Sequence, residues 1–64
     1  MIDLTGIRVG TRLKLQKDVI GEVIENMGDG EWVQVRCLES PGRPDEVGTV
    51  ELCHAQDIVK VLSE

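Results

Sequence analysis

Thr11-Arg12-Leu13-Lys14-Leu15-Gln16 is the stretch that decides how the rest of this 64-residue chain is read. Leu13 and Leu15 alternate with Arg12, Lys14 and Gln16, and a period of two puts the leucines on one face and the polar side chains on the other. That is a strand with one wet side. Lys17-Asp18 then makes a turn, and residues 19–25 form a second strand in which Gly21 permits close backbone approach or a bulge. Val19 and Val23 share a face of it, and Ile20 and Ile24 fall on the other. Apolar residues on both faces imply either a strong bend between two sheets or an outer surface covered by a subunit contact.

Further along, Asn26-Met27-Gly28-Asp29-Gly30-Glu31 supplies the glycines and Asx residues of a hairpin turn. In Trp32-Val33-Gln34-Val35-Arg36-Cys37-Leu38 the alternation sends Val33, Val35 and Cys37 inward and Trp32, Gln34, Arg36 and Leu38 outward. Residues 39–48 carry two prolines and little to bury, so they should form a mobile surface connection, the one loop long enough for recognition. Residues 49–53 read as a short strand with Val50 and Leu52 inward, residues 54–57 as a single 3-10 turn opened by His54, and residues 58–62 as the closing strand. No repeat or linker interrupts residues 1–64, which read as a single all-β domain of five short strands.

A chain of this size hides only about 60% of the surface its unfolded form exposes, and such domains usually lean on a staple or a partner. Cys37 and Cys53 lack a second pair and a nearby second histidine, so they read as small reduced apolar residues; neither a metal nor any other cofactor is expected. Self-association is the expected support. Neither a membrane-length apolar run nor a leader pattern at Met1-Ile2-Asp3-Leu4-Thr5 is present, which points to the cytoplasm.

The net charge of −5 is unevenly laid out. Residues 1–17 hold Arg8, Arg12, Lys14 and Lys17 against Asp3, a balance of +3, which leaves −8 on the remainder. An acidic body disfavours broad phosphate binding, since that needs a basic face to release counterions. The basic strip suits either a nucleic-acid contact of limited extent or the acidic body of a second copy.

The order of strand, glycine-bearing strand, Trp-led strand, loop, short strand, 3-10 turn and final strand resembles the SH3-like five-stranded small barrel, including KOW and Tudor-like modules. Val9-Gly10-Thr11-Arg12-Leu13-Lys14-Leu15 looks like their opening strand and Gly21-Glu22-Val23-Ile24 like the following one. The resemblance spans about Val9 to Leu62 and implies a shape rather than a ligand. Family members that cage methylated side chains or read proline-rich peptides need several aromatics, whereas this chain has Trp32 alone. Base stacking on a row of aromatics is equally unavailable. From Gly21 onward the order is also similar to the type II plasmid dihydrofolate reductases, whose four chains build a shared pore. Their Val-Gln-Ile-Tyr pore motif falls on Val50-Glu51-Leu52-Cys53, where Glu51 and Cys53 replace the amide and the hydroxyl and make such a pore repel an anionic substrate.

Cys53, His54 and Asp57 do not form a nucleophile set, because adjacent residues at a strand end point to opposite sides. The expectation is therefore a binding or assembly module without catalysis of its own, self-associating through Ile20, Ile24, Trp32, Arg36 and Leu38. A KOW-like nucleic-acid or ribosome-associated module using Arg8, Arg12, Lys14 and Lys17 is the second reading. A subunit of an oligomeric enzyme with a central pore is the third.

Overall fold

The structure, a computed structural model, describes residues 4–63; Met1-Ile2-Asp3, read above for the absence of a leader, and Glu64 lie outside them. Five antiparallel strands form one sheet: β1 (Arg12–Leu15), β2 (Ile20–Asn26), β3 (Trp32–Glu39), β4 (Val50–His54) and β5 (Ile58–Ser63). The order β4-β3-β2-β1-β5 makes the first four strands a meander, and β5 returns to pair with the far side of β1. Both β4 and β5 are therefore edges, and the sheet is open between them. The all-β class and the five strands match the expectation. Among the described residues no α-helix occurs, and no helix is long and apolar enough to cross a membrane.

Alternation built most of the core as the sequence implies, but Cys37, expected inward, is only half-buried and lies outside the cluster. Leu13, Val23 and Val33 are fully buried, Leu15 and Val35 nearly so, and Cys53, Ala55 and Ile58 close the cluster from the C-terminal half. Val19, just ahead of β2, packs against it from the side. Gly21 faces Val35 across the β2–β3 pair, where a Cβ would stand 3.3 Å from the valine's Cβ, so the close approach expected of this glycine is real. The pairing of β2 with β3 slips once beside Ile20 and once around Ile24, which is how one strand carries apolar residues on both sides.

Leu4 was invisible to periodicity because it lies outside any strand, yet it is fully buried. Asn26 holds it there: its side-chain amide donates to the carbonyls of Leu4 and Ile7, each at 2.8 Å, and so ties the N-terminal segment to the end of β2. Thr11 is buried too, and its hydroxyl finds no partner.

Two expectations are corrected. Val50 and Leu52 do not point inward: they are 46% and 56% exposed, and Cys53 is the residue of β4 that enters the core. The reason lies at the start of the strand. Gly48, at φ +91°, donates to the Cys37 carbonyl while the Cys37 N–H donates to Thr49, so two residues face one in a glycine bulge. That bulge sets the register Val33↔Cys53 and Val35↔Glu51, and every side chain of β4 follows. Second, residues 39–48 run over the surface as expected but carry local structure of their own. A 3-10 turn spans Pro44–Glu46, Ser40 is buried, and Thr49 closes the loop by donating from both its N–H and its hydroxyl to the Glu46 carbonyl.

The single 3-10 turn expected before the last strand is present at Ala55–Asp57, and two more occur at Gln16–Asp18 and Pro44–Glu46. In the first of these Lys17 and Asp18 both adopt positive φ, near +60°, a left-handed reversal that the polar pair tolerates.

Candidate functional site

The residues expected at an interface occupy one face but not one patch. Trp32, Arg36 and Leu38 project from the outer side of β3, with Trp32 38% exposed, Arg36 exposed and Leu38 half-buried. Ile20 sits opposite Glu39 at the far end of the same face, and Ile24 occupies the slip in β2; both are half-buried. Strand β4 adds what sequence reasoning missed. Its outer residues Val50, Leu52 and His54 stand opposite Arg36, Gln34 and Trp32. Trp32 meets the His54 ring edge-on at 4.8 Å, and Leu52 and Val50 follow further along the same face of β4.

His54 is held for a structural task. Its Nδ1 accepts the Gln56 N–H at 3.1 Å and its own N–H donates to the Asp57 carboxylate at 3.4 Å, a reciprocal cap on the last 3-10 turn. Both the ring and Asp57 are thereby engaged, and Cys53 lies on the opposite side of the strand. The arrangement is a cap on the turn that His54 was expected to open, and not a nucleophile set.

The basic strip is dispersed. Arg8 is exposed ahead of β1; Arg12 lies opposite Glu22 on the outer face; Lys14 pairs with Asp18 at 3.3 Å; and Lys17 turns away at the left-handed bend to line a cavity with Arg43 and Glu46. Of these four, Lys14 already stands in an ion pair.

On the inner side of the open seam lies a second cavity of about 200 Å³. Leu15 and Val19 floor it, while Glu46, Glu51 and Asp57 rim it. Glu51 owes this position to the glycine bulge, which puts it on the inward face of β4 opposite Val35, out where the sheet stops. Cys53 is beside it. Burial, followed by the negative fields of Asp57 and Glu51, pushes the Cys53 thiol up to about 11, and burial also raises the Cys37 thiol. Neither is an activated nucleophile, since reactivity needs the thiolate. The consequence for stability has a sign. The folded chain holds the Cys53 proton more tightly than the unfolded one, so the contribution is complete below about pH 9 and is lost as pH rises toward 11. Urea midpoints taken at pH 8 and pH 10.5 should fall more in the wild type than in Cys53→Ala; equal falls would assign the loss to other groups.

Asp29 organises the β2–β3 turn. Its Oδ1 accepts the N–H groups of Glu31 at 2.8 Å and Trp32 at 3.0 Å, and these bonds hold its carboxyl below the usual value. The turn therefore fixes where Trp32 begins its strand.

Comparison of the chain with known protein families, with characterised proteins and with solved structures yields no match.

Proposed function

We propose that this chain is an SH3-like module of the small-barrel type that works by binding and assembly, a second copy being its first partner. The observation that carries the reading is the outer face of β3 and β4, where Trp32, Leu52 and Val50, spaced along the strands opposite His54, Gln34 and Arg36, are 38%, 56% and 46% exposed. The strand order supports the SH3-like comparison. Among the described residues nine make up the buried apolar core and nine large apolar residues remain exposed, a ratio that favours covering some of the latter. Tryptophan and arginine on one face, here Trp32 and Arg36 at the two ends of the β3–β4 pairing, are residue types enriched at interfaces. The setting is the cytoplasm, where both cysteines stay reduced.

Molar mass by light scattering over a range of concentration and salt tests this. Mass should exceed that of the 7.1 kDa chain at high concentration, and Trp32→Ala should return it toward the monomer with little change in the thermal midpoint. A Trp32→Ala protein that keeps the wild-type mass but melts earlier would place the ring in the chain's own packing and refute the interface. The nucleic-acid reading predicts affinity that falls steeply with salt and depends on all four of Arg8, Arg12, Lys14 and Lys17; their dispersal leaves it the weaker proposal.

A further inference from the structure

The open edge of β4 offers more than side chains. In an antiparallel ladder, bonded pairs alternate with non-bonded ones. The Cys37 N–H donates to Thr49 at one end of the β3–β4 pair and the Ala55 N–H donates to Glu31 at the other, so the bonded positions between them are Val35↔Glu51 and Val33↔Cys53. Val50, Leu52 and His54 therefore turn their backbone groups away from β3. The His54 N–H is occupied by Asp57. Val50 and Leu52 remain, each with an N–H and a carbonyl facing the open seam, and their side chains exposed on the outer face.

The residue between them is Glu51, on the inner face, at the rim of the cavity it shares with Glu46 and Asp57. A strand laid antiparallel against β4 would place its central side chain beside Glu51, over that cavity. The geometry points to β4 as a strand-addition site for an extended peptide carrying Lys or Arg between two apolar residues. The backbone of such a peptide pairs with Val50 and Leu52, its apolar residues extend the outer face, and its basic side chain lays a methylene stem over Leu15 and Val19 and its charge among the three carboxylates. Two copies of β4 do not suit each other in this register, because pairing Val50 with Leu52 across a twofold axis sets Glu51 against Glu51. The chain's own Val59-Lys60-Val61 has the right pattern, but β5 slips register against β1 on both sides of Lys60–Val61, which deprives it of the regular strand the site requires. The occupant is thus a separate peptide, and the site adds to the outer-face assembly without depending on it.

Two blocked peptides, Thr-Val-Lys-Val-Thr and Thr-Val-Glu-Val-Thr, titrated at low salt into the isotope-labelled chain and followed by its amide resonances, test this. The lysine peptide should shift the Val50 and Leu52 amides and protect them from solvent exchange, and should bind about tenfold tighter than the glutamate peptide, the span of a cross-strand charge pair turned from attraction to repulsion. Glu51→Gln should erase most of that preference without altering the fold, since Glu51 is exposed. Equal binding of the two peptides, or shifts that spare Val50 and Leu52, would overturn the proposal. Protection of those two amides in concentrated protein without peptide would overturn it in favour of a second copy on the edge. Failure of the assembly reading shows separately, as a molar mass that never rises.

Discussion

Leu13→Ala should remove about 3 kcal/mol of stability, within the range of about 2–5 kcal/mol measured for fully buried leucines. A chain of this length is expected to hold about 3–10 kcal/mol in all, so the loss removes between about a third and the whole of it. Leu13 is fully buried, and its position is central: β1 lies between β2 and β5, and Leu13 pairs with Gly21 on one side and Val61 on the other. Truncating it leaves a void that the sheet cannot close without shifting β5, which only β1 holds in the sheet. Urea denaturation followed by tryptophan fluorescence measures the loss, because Trp32 is the only reporter in the chain. Leu13→Met, which keeps the volume, should lose less than about 1.5 kcal/mol. Similar losses in both variants would show that shape rather than volume controls the site.

Gly21→Val should be nearly as damaging, for the opposite reason. A Cβ at this position already stands 3.3 Å from the Val35 Cβ and 3.4 Å from the Leu15 Cδ1, and valine adds two methyl groups where no room remains. Overpacking of this kind costs about 1–3 kcal/mol. Gly21→Ala asks the neighbours to yield only by tenths of an ångström, and its lower unfolded-state entropy offsets part of that, so it should sit within about 1 kcal/mol of wild type. The pair Gly21→Val with Val35→Ala should be more stable than the sum of the two single changes, since the second opens the space the first needs. Additive losses would mean that the clash lies with Leu15 instead.

Glu51 illustrates why a site can be missed while its strand is found. In isolation Val50-Glu51-Leu52 reads as two inward apolar residues flanking an outward charge, and only the glycine bulge, seen in the bonds of Gly48 and Thr49 to Cys37, inverts it. Trp32 shows the converse. Its place at the exposed start of a strand was legible from alternation, but its neighbours Leu52 and His54 belong to a strand some twenty residues away.

The sequence by itself determined the all-β class, the inward set of Leu13, Leu15, Val23, Val33 and Val35, a close approach or bulge at Gly21 and the 3-10 turn that starts at His54. These follow from side-chain period, glycine geometry and spacings of a few residues, which are properties of the local chain. The tertiary structure alone decided that Leu4 is core, that Val50 and Leu52 face out, that the basic residues disperse, and that β4 ends the sheet with two unpaired backbone positions. Each depends on which strand lies beside which and in what register, and a one-residue shift in pairing exchanges the buried and exposed faces without changing a single local preference.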